Sequence, residues 1–127
     1  MSANASSVLI VASPGELREG LQALLATLAQ VGQILVANDG AGALSASERS
    51  CPDLLVVDGN IPASNVQRLL ERIREECRDI RCLVLVDGQA EVSEAESNGA
   101  DRVVLKGYPA SQLLQLVFEL IQPLDPI

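Results

Sequence analysis

Apolar residues along this chain follow two alternating patterns. Short unbroken runs rich in β-branched residues occupy positions 8–11 (Val-Leu-Ile-Val), 34–36, 54–57 (Leu-Leu-Val-Val), 82–86 and 103–105. Continuous rather than alternating runs of this length are what parallel strands covered on both faces require. Between them the apolar positions change to helical spacing. Leu17, Leu21, Leu24, Leu25 and Leu28 form one stripe, Val66, Leu69, Leu70 and Ile73 a second, and Leu113, Leu114, Leu116, Val117 and Leu120 a third, stopped after Gln122 by Pro123. The first stripe follows Ser13-Pro14-Gly15-Glu16, which reads as a capping box with proline at the first helical position. The second follows Ser64-Asn65-Val66-Gln67, a serine with glutamine three residues on, and its other face carries Arg68, Glu71, Arg72, Arg74, Glu75 and Glu76 as a solvated, ion-paired surface. Two weaker helices are expected around 41–48 and 89–97, the latter with only Ala90, Val92 and Ala95 to pack. Asp39-Gly40 reads as the start of the former.

Five strand–helix units in alternation predict a doubly wound, five-stranded parallel sheet with right-handed crossovers. No repeat, low-complexity tract or internal linker interrupts it. The 127 residues are expected to form one domain, with a core over about 7–121 and a tail or the start of a linker at 122–127.

Composition narrows the function. Almost half of the residues are apolar (48%), yet Tyr108 and Phe118 are the only aromatics, so Leu, Val, Ile and Ala must build the core. Seventeen acidic against nine basic residues leave a net charge of −8, which repels phosphate backbones and anionic membranes. Nucleic-acid binding by this segment and membrane association are therefore not expected. No stretch has the form of a signal peptide or the roughly 20 apolar residues of a membrane span, and a cytoplasmic location is expected. Histidine is absent. That excludes histidine-based triads, most zinc sites, a phosphohistidine carrier role and the histidine-ligand motif of cobalamin modules. Cys51, Cys77 and Cys82 fit no metal spacing and read as small apolar residues at helix and strand ends in a reducing compartment.

In a doubly wound sheet, chemistry gathers at the carboxyl ends of the strands near the topological switch point. The residues that follow the apolar runs are Ala12-Ser13, Asn38-Asp39, Asp58, Asp87 and Lys106, the last being the only lysine in the chain. Each has a plain alternative. Asp58 could cap the turn after its strand, Asp87-Gly88 is an ordinary turn pair, and Lys106-Gly107 could be a surface turn.

Residues 52–62, Pro-Asp-Leu-Leu-Val-Val-Asp-Gly-Asn-Ile-Pro, together with Gly99-Ala100, Val103-Val104-Leu105-Lys106 and the opening Val8-Leu9-Ile10-Val11 with Leu17-Arg18-Glu19-Gly20-Leu21, resemble the receiver domains of two-component response regulators. The resemblance spans about residues 7 to 121, and the order and spacing of the segments carry it. It implies a flavodoxin-like (βα)5 fold, no enzymatic activity of its own, and a histidine kinase or another signalling protein as partner. It places Asp58 at the phosphoacceptor position and Lys106 at the phosphate-contacting lysine. Mg²⁺ would assist phosphoryl transfer, held by Asp58 and the backbone carbonyl of Asn60. Homodimerisation through the last helix also fits the family and its apolar stripe.

The chain departs from the family pattern at several points. Ala12 and Ser13 stand where two acidic residues normally help to hold the metal, leaving a degenerate acidic pocket. Asp87 replaces the hydroxyl residue that closes on the phosphate, and Val103 replaces an aromatic switch residue. The span from Asp87 to Lys106 is about three residues short, at the fourth helix. Two unit charges about 5 Å apart interact by about 3 kcal/mol at an effective dielectric near 20, so a phosphoryl group on Asp58 would meet Asp87 unfavourably. Asp87 is expected instead to pair with Lys106, in an atypical receiver that acts through protein contacts. The alternatives are an active phosphoacceptor using Asp58, with Asp87 as a substitute metal ligand, and, more remotely, a flavin-binding electron carrier of the same topology.

Overall fold

The structure is a computed structural model and describes residues 6–60 and 63–122. Strands β1 (Ser6–Val11), β2 (Val31–Ala37), β3 (Leu54–Asp58), β4 (Arg81–Val86) and β5 (Arg102–Leu105) alternate with helices α1 (Glu16–Leu25), α2 (Gly40–Arg49), α3 (Ala63–Glu76), α4 (Ala90–Ser97) and α5 (Ala110–Leu120). All strand pairs are parallel, in the order β2-β1-β3-β4-β5. This is the doubly wound parallel sheet that the alternating pattern predicts, in the flavodoxin-like arrangement that the resemblance implies, with its switch point between β1 and β3.

Side-chain alternation divides each central strand between two cores. Val8, Ile10, Leu54, Val56, Leu83 and Leu85 face α1 and α5, where Leu21, Leu25, Leu113, Leu116, Val117 and Leu120 close over them. Leu9, Val11, Leu55, Val57, Val84 and Val86 face the other way, against Ala43 of α2 and Val66, Leu69, Leu70 and Ile73 of α3. Each such side chain contributes about 1.5–3 kcal/mol on burial, which explains how a chain this poor in aromatics is held together. The apolar stripe of α5 is spent on this internal core, leaving Leu114 and Phe118 half-buried at its edge.

Helix starts differ from their expected positions. α1 begins at Glu16, after an extended Gly15 with no side-chain cap, so neither Ser13 nor Pro14 has the capping role that the sequence suggests. Ser64 lies inside α3 rather than before it, and Ile61-Pro62 fall outside the described residues. Asp39 does cap α2, accepting from the Gly42 N–H at 2.9 Å. α4 is the shortest helix and buries no side chain, resting only on half-buried Val92 and Ala95.

The cysteines correct the sequence reading. Cys51 and Cys77 are joined in a disulfide, with Cα atoms 5.5 Å apart, and only Cys82 is free.

Candidate functional site

Strand register sets the site. Val57 of β3 pairs with Val11 of β1, and Asp58 pairs with Leu85 of β4, so Asp58 emerges at the carboxyl edge one step past the apolar run. Val86 pairs with Leu105, which brings Asp87 and Lys106 out side by side at that edge. The Lys106 backbone N–H donates to the Val86 carbonyl at 2.8 Å, closing the last rung. Gly107 follows with φ of +90°, a conformation that frees the chain to leave the sheet there.

The Lys106 ammonium lies between two carboxylates. Its Nζ is 2.8 Å from Asp58 Oδ1 and 3.3 Å from Asp87 Oδ1. Asp58 is the more enclosed partner, with its side chain 13% exposed against 64% for Asp87. Asp58 Oδ1 also accepts from the Asn60 backbone N–H at 3.0 Å. With its nitrogen turned toward Asp87 and its oxygen toward Lys106, the Asn60 amide donates to Asp87 Oδ2 at 3.0 Å and accepts from Lys106 Nζ at 3.3 Å. Partial burial acts to lower the pKa of Lys106. The hydrogen bond and charge of Asp58, and then those of Asp87, outweigh it and hold that pKa above the ordinary lysine value.

Gly59 makes this arrangement fit. Its N–H donates to the Leu85 carbonyl at 2.7 Å, and a Cβ placed on it would lie 2.5 Å from that oxygen and 2.9 Å from Val86 Cγ1. The segment after β3 thus lies directly on the end of β4, within reach of Asp87.

Ala12 and Ser13 occupy the other flank. Ala12 is buried with its methyl in the α1–α5 core, and Ser13 is exposed, so between them they present one hydroxyl. Arg18 reaches back over this end of β1, donating through Nη1 to Asn38 Oδ1 at 2.5 Å and to the Ala12 carbonyl at 3.4 Å. Among the described residues, no group of three or more His, Cys, Asp or Glu side chains gathers as a metal site. Sequence reasoning finds Asp58, Asp87 and Lys106 from their places after apolar runs. It misses Arg18, the close approach at Gly59 and the Asn60 side chain, for which position after a strand is no signal.

The response regulator receiver domain model matches residues 8–118. The nitrate/nitrite response regulator protein NarL of Escherichia coli (strain K12) is 25% identical over 116 residues, covering 90% of this chain and 54% of that protein. The chain therefore spans about half the length of the curated relatives it matches. Among solved structures, a response regulator from Thermotoga maritima superposes with a TM-score of 0.74 at 25% identity, covering 92% of this chain and 98% of the other. A two-component response regulator of the LuxR family from Aurantimonas sp. SI85-9A1 gives a TM-score of 0.77 at 21% identity, covering 92% and 85%, and at that identity it speaks for the fold alone.

Proposed function

This chain belongs to the response regulator receiver domain family, and on that premise we propose that it is an atypical receiver whose state is set by a standing charge network rather than by a phosphoryl group. The observation that carries the reading is the position of Lys106, whose ammonium has Asp58 at 2.8 Å and Asp87 at 3.3 Å. Asp87 supplies beside Lys106 the negative charge that a phosphoryl group would otherwise bring. The cation that a phosphoryl group needs is already engaged.

The donor set argues against Mg²⁺ in the same direction. Mg²⁺ takes near-octahedral oxygen ligands and usually one or two protein carboxylates with several waters. Ala12 has no donor atom, Ser13 offers a neutral hydroxyl, and Asp58 Oδ1 is shared by Lys106 and the Asn60 N–H. Lys106 already engages both carboxylates of the site, which disfavours the metal, and on this reading phosphoryl acceptance on Asp58 is impaired with it. The domain then works by protein–protein contact, with a histidine kinase or another signalling protein as partner. A homodimer through α5 would use Leu114 and Phe118, since the rest of that stripe lies in the core.

One observation favours the rival reading of an active phosphoacceptor. Asp58 and Asp87 converge on a single atom, so displacing the ammonium would leave two carboxylates facing one cation-sized space. Beryllofluoride with Mg²⁺, followed by amide NMR, separates the two. The charge network predicts unmoved resonances at Asp58, Asp87 and Lys106 in saturating beryllofluoride. Saturable shifts at all three that vanish in Asp58→Asn would establish the rival instead.

A further inference from the structure

Two of the three cysteines form a pair that the Asp58 pocket does not use. Cys51 is exposed in the segment between α2 and β3, and Cys77 is buried immediately after α3. Cys82 lies fully buried in β4, where burial pushes its thiol up to about 12, leaving almost no thiolate to compete in exchange. The chain thus holds one cysteine pair with an exposed residue at one end and no reactive third partner.

The bridge occupies a mechanically central place. It joins residues 26 apart in sequence and closes a loop that contains all of β3 and α3, Asp58 included. Three residues before Cys77, Arg74 fastens the last turn of α3 to the turn before β5 and to the start of β4. Its Nη2 donates to Asp101 Oδ2 at 3.0 Å and to the Ile80 carbonyl at 3.3 Å, and its Nη1 donates to the Gly99 carbonyl at 3.4 Å. Asp101 Oδ2 also accepts from the Cys82 N–H at 2.8 Å, and Asp101 leads directly into β5, which ends beside Lys106. The end of α3 is therefore tied covalently to the segment before β3 and through Arg74 to the turn before β5.

We propose that Cys51 and Cys77 are a reversible thiol–disulfide couple, a redox input to this domain that is separate from Asp58. Oxidation by a low-molecular-weight disulfide of the glutathione class balances in two exchanges. The Cys51 thiolate attacks one sulfur of the oxidant, breaking its S–S bond, forming a mixed disulfide and releasing one thiolate. The Cys77 thiolate then attacks Cys51 Sγ, forming the protein disulfide and expelling the second thiolate. The two cysteine protons end on the two released thiolates, two electrons pass to the oxidant, and reduction by a dithiol reverses both steps. Exposure of Cys51 makes it the sulfur that exchanges first, and exposed disulfides are the labile, regulatory kind. Opening the bridge leaves the last turn of α3 held by side-chain contacts alone and loosens the Arg74 clamp on the turn before β5.

The test uses the whole chain equilibrated at stepped ratios of reduced to oxidised glutathione. Acid quenching, denaturing alkylation and mass measurement count free thiols, and hydrogen exchange is followed on each sample. The count should pass from one thiol to three across the series. Amides of the last turn of α3 and of residues 99–102 should exchange roughly tenfold faster in the reduced form. Cys51→Ser and Cys77→Ser should each show the fast hydrogen exchange of the reduced form at every glutathione ratio, with Cys77→Ser retaining at most one glutathione, on Cys51, at the oxidised end. Three thiols at every ratio, or one at every ratio, would overturn the couple. A couple that titrates while exchange at residues 99–102 stays unchanged would overturn its role as an input.

Discussion

Lys106 balances the charge of its pocket, and its replacement exposes how much. Lys106→Met leaves the mostly buried Asp58 carboxylate without a counter-ion and with Asp87 beside it, which should cost about 1–2 kcal/mol in urea unfolding at neutral pH. Asp87→Ala should cost no more than about 0.5 kcal/mol, because its side chain is 64% exposed and well screened. A reversed order of these two losses would mean that Asp58 does not anchor the ammonium. The pH dependence follows from the direction of the Lys106 shift. A pKa raised above the unfolded value of about 10.4 gives an ion-pair contribution that is complete below that pH and is lost as pH climbs through the higher folded value. The unfolding midpoints of wild type and Lys106→Met should therefore lie apart at pH 8 and converge only at strongly alkaline pH. At this scale the sequence exposed the charged strand-end residues, because an acid or a lysine after an unbroken apolar run is conspicuous. Asn60 was expected to contribute only a backbone carbonyl. Its side-chain bridge depends on Gly59 lying against β4, which no local pattern encodes.

Elements differ sharply in how firmly they are held. Gly59 joins β3 to the segment before α3 where a Cβ would meet the Leu85 carbonyl at 2.5 Å. Gly59→Ala should destabilise the domain by about 2 kcal/mol or more and pull Asn60 away from Asp87, seen as a lower thermal midpoint with shifted amides at both residues. α3 and α4 make the opposite contrast. Leu70→Ala removes a 1% exposed side chain from α3 and should cost about 2–5 kcal/mol, whereas Val92→Ala on α4 should cost less than about 1 kcal/mol. Hydrogen exchange should accordingly show α4 as the least protected helix. Strands were legible because burial on both faces forces unbroken apolar runs. Helix starts were less so. Ser13-Pro14-Gly15-Glu16 has the composition of a capping box, but the chain spends its first three residues leaving β1 and turns helical only at Glu16. The Cys51–Cys77 pairing was not legible either, since it follows from where the end of α3 meets the segment before β3.

The whole molecule joins a receiver fold with a carboxyl-edge cluster in which two carboxylates share one ammonium. Topology, site position and net charge agree. The charged cluster sits at the carboxyl edge beside the β1–β3 switch point, on a chain of net charge −8. Among the described residues no helix is long and apolar enough to cross a membrane. The doubly wound parallel class was readable from periodicity, and the family and its flavodoxin-like topology from the order of the motifs. How the pocket operates is a question of competition for one ammonium among Asp58, Asp87 and an incoming phosphoryl group. Intact mass after incubation with acetyl phosphate and Mg²⁺, on wild type beside Asp58→Asn, tests this most directly. A standing network predicts no gain on either protein. A gain of one phosphoryl mass on wild type that disappears in Asp58→Asn would contradict it.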